Sequence, residues 1–257
     1  MTAHGPDAPG AVVLRTPGLA VHLSDGAVAA VTSADGTLTW LSGGGTLTAS
    51  TATGDVPLGP ARVAVDVDEV ETERSGGGLR AVVRHAVEGG WTVRVLLVNE
   101  SATELRLEQV RLDWRATSGC VVTALAAGAQ AAYAVQPAAG DGPVLVGRLR
   151  SGAQHGVDGD GLLLGPLVLA PGHRWAVAWR WEVVADARRV PAAELPRTTW
   201  LDRGRTVVLP GGPDVAVVAP DLLVELEDDR VEVASDDPLT TTVELRSARG
   251  TVAYTLS

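Results

Sequence analysis

The chain has 257 residues, of which 46% are hydrophobic, and its formal net charge is -10. A chain of this length and apolar content can bury a substantial core, which excludes a disordered protein. The acidic balance disfavours nucleic acid as a partner, because such a surface repels phosphates. With one cysteine, Cys120, the chain can form neither an internal disulfide nor a cysteine-based zinc cluster. We predict no metal and no cofactor.

The use of residue types is unusual. The sequence has no Phe, Ile or Lys, all 21 basic residues are Arg, and Asn99 is the only asparagine. The missing types have AT-rich codons, so this bias indicates a very GC-rich genome, such as that of an actinobacterium. It reflects mutation pressure rather than mechanism.

The N-terminal segment MTAHGPDAPGAVVLRTPG lacks the basic leader and apolar core of a signal peptide. No apolar run approaches the roughly 18 residues that span a bilayer. We therefore expect a soluble, cytoplasmic chain that has no membrane partner.

The first predicted elements are two hairpins. The runs LAVHL, AVAAVTS and TLTWL are separated by Ser24-Asp25-Gly26 and Ala34-Asp35-Gly36. Asp-Gly between alternating apolar runs is a strong hairpin signal, since the favoured turn needs positive φ. Ser42–Gly45 and Ser75–Gly78 are predicted as glycine turns. They are not phosphate loops, which need a following helix and usually a lysine.

The middle of the chain predicts further strands. WTVRVLLV (91–98) is followed by a turn at Asn99–Ala102 and by LRLEQVRLDW (105–114), in which the apolar alternation changes phase at Glu108–Gln109. An inserted residue at that point predicts a β-bulge. The Asn99-Glu100-Ser101 sequon is interpreted as a plain turn, and the acidic residues between Asp66 and Glu73 as a solvated strand face.

Two later segments allow other interpretations. The alanine-rich stretch that ends at Ala139 is the one place where a short helix could fit, although Gly128 and Pro137 limit it. Residues 155–161 are similar to a calcium loop, but an oxygen ligand at its fifth position and the distal Glu are missing. We predict an exposed hairpin turn there.

The segment RWAVAWRWEVV (174–184) places Trp175, Trp179 and Trp181 at even spacing, which puts them on one face of a strand. The opposite face is small or charged. The three indoles form either a dense core or a platform for sugar rings. In a chain without Phe or Ile the bulk of a core must come from Trp, so we predict a core, with Trp181 as its least buried member.

The alternating pattern that predicts strands is interrupted after Val184. We predict a large all-β antiparallel sandwich over residues 1–190, a linker over 191–204 and a small immunoglobulin-like β-module over 205–257. The sequence stops on a predicted strand, which suggests that this module is cut from, or leads into, something longer.

Two segments carry a resemblance to a known family. LAVHLSDGAVAAVTSADGTLTWL resembles the first hairpin of galactose-mutarotase-like supersandwich domains, and LAPGHRWAVAWRWEV is similar to the entry of a late strand in them. In bacterial glycoside hydrolases such a domain lies N-terminal to the catalytic barrel. The resemblance covers residues 11–190 and implies an accessory domain that works with carbohydrate.

The residues favour a chain without catalytic groups of its own, although they do not decide the question. Active mutarotases use a His-centred site with a partner Glu, whereas His22, His85 and His173 stand in no such motif. Glycosidase chemistry needs two carboxylates at a set separation, which the sequence cannot single out. No nucleophile elbow or HExxH motif occurs.

The function predicted from the sequence is a non-catalytic accessory or carbohydrate-binding module of a larger bacterial carbohydrate-active enzyme. The expected partners are carbohydrate, a catalytic domain or another protein. A purely structural or protein-interaction module, and a diverged sugar epimerase, remain as alternatives. The candidate sugar-stacking residues are Trp40, Trp181 and Trp200, because indole faces suit the C–H surfaces of sugars.

Overall fold

The structure is a computed structural model that describes residues 10–127, 130–158, 161–185, 206–210, 216–219, 222–227, 230–235, 241–247 and 250–256. Every regular element in these ranges is a β-strand. The first twelve are β1 (Ala11–Arg15), β2 (Leu19–Ser24), β3 (Ala27–Ser33), β4 (Thr39–Thr51), β5 (Gly54–Asp55), β6 (Arg62–Asp66), β7 (Glu69–Gly76), β8 (Leu79–Val87), β9 (Trp91–Asn99), β10 (Leu105–Leu107), β11 (Gln109–Ala116) and β12 (Cys120–Ala127). The others are β13 (Gln130–Pro137), β14 (Val144–Ser151), β15 (Gly156–Asp158), β16 (Gly161–Leu163), β17 (Leu167–Leu169), β18 (Arg174–Val184), β19 (Thr206–Pro210), β20 (Ala216–Val218), β21 (Leu223–Leu226), β22 (Arg230–Ala234), β23 (Thr241–Ser247) and β24 (Gly250–Leu256).

Most strands belong to two large antiparallel sheets. The first sheet has eight strands in the order β1-β2-β3-β4-β11-β16-β15, with β5 paired to β4. The second has eleven, in the order β20-β23-β24-β12-β13-β14-β18-β9-β8-β7-β6. Two small sheets, β10-β17 and β19-β22-β21, complete the fold. The predicted all-β sandwich architecture is confirmed.

The main hydrophobic core contains side chains from both large sheets. Alternate residues of β18 point into it, and Val177, Trp179 and Trp181 are at most 2% exposed. The interpretation of the tryptophan stripe as core therefore agrees with the structure. Its least buried member is Trp175, which is only partly buried, and not Trp181 as predicted.

The C-terminal strands have a small core of their own, and they also extend the second sheet. The buried residues of this small core are Val207, Leu209, Val231, Val233 and Val243. At the same time β24 pairs with β12, with Leu125 opposite Tyr254. Because the sheet runs on through this pair, the domain boundaries stay a prediction, and the expected linker (191–204) lies outside the described residues.

The alanine-rich stretch is not helical. It forms β12 and β13, which pair with each other, and β13 pairs in turn with β14. Tyr133 and Val135 point into the main core, whereas Ala132 and Ala134 pack into a separate cluster. Pairing with other strands overrides the helix propensity of alanine, because it satisfies the backbone groups of β12 and β13.

The glycines at 43–45 lie inside the long strand β4, and not in a turn as predicted. Gly44 has a φ of 139° and lies opposite Trp114 of β11. A Cβ atom at Gly44 would lie 2.6 Å from the carbonyl oxygen of Asp113. The strand therefore needs glycine here because β11 passes too close for a side chain.

The change of phase at Glu108–Gln109 marks a change of sheet rather than a bulge within one ladder. Leu105–Leu107 pairs with β17, and Gln109–Ala116 pairs with β4 in the first sheet. The backbone N–H of Glu108 donates to the carbonyl of Ser50 at the crossing point. The calcium-like segment is the hairpin β15-β16, and its residues 159–160 lie outside the described ranges.

Candidate functional site

The structure buries two of the three candidate sugar-stacking tryptophans. Trp40 is 0% exposed, and its indole N–H donates to the carbonyl of Pro143 at 3.1 Å. Trp181 is 2% exposed. Neither indole has a face open to a ligand, since both fill the core of a chain that lacks Phe. Trp200 lies outside the described residues, so its role stays a prediction.

Five side chains form a buried aromatic cluster. The ring of Trp91 lies 5.9 Å from that of His85, stacked at 20°, and 5.3 Å from that of Trp114, edge-on at 87°. Trp181 lies 5.6 Å from Trp91 and 5.9 Å from Tyr133. Rings at these separations pack favourably, so the cluster contributes to the stability of the sandwich.

His85 is sealed inside this cluster. It is 0% exposed, and neither ring nitrogen has a hydrogen-bond partner in the part of the chain that the structure describes. Burial lowers the pKa of His85 to about 4, because a charged imidazolium would lose its hydration there. The ring is therefore neutral at pH 7, and it has no contact with solvent through which to act as an acid or base.

The other two candidate histidines lie elsewhere. His22 on β2 is half-buried and lies 3.3 Å from the hydroxyl of Thr32, and burial together with the nearby Arg15 lowers its pKa. His173 is exposed in the turn before β18. Within the described ranges the three histidines share no hydrogen bond with one another. The structure does not bring them together as an acid–base site.

Gln154 connects the core to the hairpin β15-β16. Its amide nitrogen donates to the hydroxyl of Tyr133 and to the carbonyl of Gly156, and its amide oxygen accepts from the indole N–H of Trp179 at 3.1 Å. Burial raises the pKa of Tyr133 well above its usual value, so this hydroxyl stays protonated. The network is structural, because its side chains are all buried.

A small cleft lies between the turn after β2 and strands β4, β7 and β8. Its lining includes Asp25, Gly45, Thr72 and Arg74, and its free volume is about 20 Å³. That is room for roughly one water molecule and not for a sugar ring.

The outward face of the second sheet carries a concentration of arginine. The adjacent strands β14, β18, β9 and β8 contain seven of the 21 basic residues and one of the 31 acidic residues. The sequence alone places Arg174 and Arg180 on the wet side of β18. It does not reveal the assembled surface, because only the strand order brings the other arginines beside them.

The strand register groups six of these arginines in pairs. Arg148 lies opposite Arg180, and Arg84 lies opposite Arg94. Arg80 and Arg174 flank Val98 from its two sides. Cross-strand partners share a face of the sheet, so the three pairs lie on one surface, which we call the arginine face (Arg80, Arg84, Arg94, Arg148, Arg174 and Arg180).

Glutamates neutralise one side of the arginine face. Arg84 pairs with Glu69, and Arg80 contacts Glu73 at 3.3 Å and Glu100 at 2.8 Å. Glu69 and Glu73 belong to the acidic segment 66–73, where the structure places an ion-paired and solvated strand face, as the sequence indicates.

On the other side of the arginine face, Arg148 pairs with Glu182, and the remaining arginines are less neutralised. Arg94 and Arg174 are exposed, and neither makes an ion pair with another described residue. Arg180 donates to the backbone carbonyl of Gly89, which carries no charge. Positive charge is therefore available to a ligand at β9 and β18.

Two further properties follow from the described ranges. They contain no group of three or more His, Cys, Asp or Glu side chains placed to hold a metal ion. No helix in them is long and apolar enough to span a membrane.

Comparison with known proteins gives similarity of fold only. No family model matches the sequence, and no curated protein matches it. The structure is similar to that of a polysaccharide lyase, with a TM-score of 0.56 and 12% identity over 97% of this chain and 46% of the lyase. The chain thus spans about half the length of that lyase. A TPR-domain containing protein from Parabacteroides distasonis matches at a TM-score of 0.41 and 12% identity over 72% of this chain and 51% of that one, which is too distant for an argument.

The comparison bears on the resemblance seen in the sequence. The likeness to the polysaccharide lyase is one of fold, and it agrees with the β-sandwich predicted from the sequence. The finer assignment to galactose-mutarotase-like domains is not confirmed.

Proposed function

We propose that the chain is a non-catalytic β-sandwich module of a larger carbohydrate-active enzyme, and that it either binds glycan or braces the catalytic part. One observation carries this proposal. Almost the whole chain, 97%, superposes on 46% of a polysaccharide lyase. A fold that forms about half of one carbohydrate-acting protein can serve as an accessory unit in another.

The state of the histidines supports a role without catalysis. A general acid or base must reach the proton that it transfers, whereas His85 is sealed in the core. His22 and His173 lie on different elements and do not share a site. The resemblance of the opening hairpin to galactose-mutarotase-like domains is a finer part of this proposal. It implies that the module lies N-terminal to a catalytic barrel.

Calorimetry and affinity electrophoresis on the full chain test the proposal. The glycan panel contains starch-like, galactose-containing and acidic polysaccharides, and product release is followed in the same samples. We expect binding of at least one glycan without turnover. Turnover contradicts the non-catalytic role. Uniform non-binding together with tight association to a separate catalytic domain contradicts the glycan-binding form of the proposal.

A purely structural or interaction module is the second candidate, and the burial of Trp40 and Trp181 favours it, because the expected stacking faces are closed.

A diverged epimerase is tested by anomerisation of a hexose, which the exchange His22→Ala or His173→Ala would abolish. The expected cytoplasmic location is tested by fractionating cells that carry the native gene.

A further inference from the structure

We propose that the arginine face binds an anionic glycan, a polysaccharide that carries carboxylate or sulfate groups. This inference rests on the proposed function, because it names the class of carbohydrate and the surface that holds it. The candidate sugar-stacking tryptophans take no part in it.

The charge distribution is the first support. In a chain with a net charge of -10, the four adjacent strands β14, β18, β9 and β8 carry seven arginines and a single acid, Glu182. Guanidinium groups match carboxylate and sulfate oxygens through paired N–H donors. On a protein of negative net charge, a local positive surface favours an anionic ligand. Such a ligand contacts this face and avoids the acidic remainder of the surface.

The accessibility of the face is the second support. Arg94, Arg174 and Ala176 are exposed. The side chains of Arg80 and Arg84 are 33% and 42% exposed, although both are paired with glutamates. An exposed ion pair contributes little to stability, so these arginines can exchange a glutamate for a ligand anion at small cost.

The spacing of the face suits a sugar chain. Val82, Leu96 and Ala176 form one cross-strand row, which lies between the row of Arg84 and Arg94 and the row of Arg80 and Arg174. At about 3.4 Å per residue, the two arginine rows lie roughly 14 Å apart along the strands. Val82 is buried in this row, whereas Leu96 is half-buried and Ala176 is exposed. A pyranose ring can place its C–H face on Leu96 and Ala176 while charged groups on neighbouring sugars meet the arginines.

The packing of the aromatic residues disfavours nucleic acid as the ligand of this face. Binding of single strands relies on exposed aromatic platforms, whereas Trp91, Trp179 and Trp181 face the core.

The test uses the full chain and the double variant Arg94→Gln/Arg174→Gln. The probes are polygalacturonate, sulfated dextran, neutral dextran and a single-stranded DNA oligonucleotide, each at two salt concentrations. The control is Arg115→Gln, which removes an exposed arginine from β11 in the first sheet. Urea unfolding curves check that the three proteins are equally folded.

We expect the Kd for polygalacturonate or sulfated dextran to rise about tenfold in the double variant, through loss of two exposed charge contacts, and to stay unchanged in the control. The probe with the lower Kd shows whether carboxylate (polygalacturonate) or sulfate (sulfated dextran) is the recognised group. Binding should weaken as salt is raised, since the contacts are exposed ion pairs.

Other results overturn the inference in distinguishable ways. Binding of neutral dextran that the double variant leaves intact contradicts the anionic class and keeps the proposed glycan-binding role. Failure to bind any glycan contradicts both this inference and the glycan-binding form of the proposed function, and leaves the bracing form. DNA binding with the same sensitivity to the two exchanges, or association with an acidic partner protein that only the double variant loses, assigns the face to another ligand and refutes the glycan.

Discussion

Burial of His85 makes the stability of the sandwich depend on pH. The pKa of His85 is about 4 in the fold and close to 6.5 in an unfolded chain. As the pH falls through this window the unfolded chain takes up the proton first, so stability is complete above about pH 6.5 and declines towards pH 4. The loss is at most about 3 kcal/mol in the free energy of unfolding.

Urea unfolding at neutral and acidic pH, with the variant His85→Phe, measures this effect. Phe keeps a ring beside Trp91 and cannot be protonated, so the acid-induced decline should be much smaller than in the native chain. The control His173→Ala removes an exposed turn histidine and should leave the decline unchanged. An equal decline in all three proteins would show that other groups cause it.

Gly147 lies against the face of an indole. A Cβ atom added there would lie 2.6 Å from two ring atoms of Trp181, closer than atoms approach. We expect Gly147→Ala to lower the free energy of unfolding by about 1–3 kcal/mol, because the packed cluster around Trp181 cannot yield freely. The measurement is urea unfolding followed by tryptophan fluorescence.

Gly119→Ala is the matched control for this exchange. Gly119 is exposed, and no atom lies within 4 Å of its added Cβ. Its effect should be small and stabilising in sign, since alanine restricts the unfolded chain. Equal destabilisation by both exchanges would mean that contact with Trp181 is not the cause.

At the scale of elements, Asn99 joins the end of β9 to β17. The side chain is 0% exposed, and its amide nitrogen donates to the carbonyls of Thr103 and Leu169, both at 2.8 Å. Its amide oxygen accepts from the backbone N–H and the hydroxyl of Ser101. The sequon is thus a closed turn whose asparagine has no free amide for a glycan.

The exchange Asn99→Asp keeps the shape and removes both donors, so a carboxylate oxygen faces two carbonyl oxygens. We expect the free energy of unfolding to fall by about 3 kcal/mol or more at neutral pH, and to recover in part under acid when the carboxyl group can donate. Thr103→Ala serves as control, because the turn uses the backbone carbonyl and N–H of Thr103, and no described residue makes a hydrogen bond to its side chain. Native stability of the Asn99→Asp variant would contradict the assigned bonds.

The elements differ in how far the sequence predicts them. The hairpin at Asp25-Gly26 is predictable because its signal is local, and both residues have positive φ in the structure, 50° and 76°. The strands β12 and β13 are not, since alanine takes the conformation that distant partners impose. The prediction of a turn at the glycines of β4 is wrong because the close approach of Trp114 comes from far along the chain.

The arginine face also combines residues that a local pattern predicts with residues that only the strand order brings together. Alternation within β18 predicts which side of that strand is wet, and hence that Arg174 and Arg180 are accessible. Their neighbours Arg84, Arg94 and Arg148 come from strands whose order no local pattern reveals. The sequence also favours exposure of Trp40 at a strand end, whereas the packing of two sheets covers that end.

At the scale of the whole molecule, the pairing of β24 with β12 makes the C-terminal strands part of the second sheet. A chain that ends at residue 205 would leave β12 as an uncovered edge, and such edges associate with other chains. We expect concentration-dependent self-association of this shortened chain, measured by light scattering, whereas the full chain is not expected to associate through this edge.

Val122→Lys in the shortened chain provides the control for edge association. Val122 is an exposed residue of β12, so the exchange leaves the core intact. A lysine on an open edge strand opposes pairing with a second copy, so it should reduce the scattering. A shortened chain that stays monomeric, with an unfolding midpoint like that of the full chain, would instead support the separate domains expected from the sequence.

The indoles of Trp91, Trp114 and Trp181, 5.3–5.6 Å apart between ring centroids, also have an optical consequence. Indoles held this close and at fixed angles lie in an asymmetric environment, so the near-ultraviolet circular dichroism should contain a strong tryptophan band. Loosening of the two sheets would remove this band before the strands themselves melt. The core of this protein thus carries its own spectroscopic reporter, which distinguishes loss of packing from loss of secondary structure without any added label.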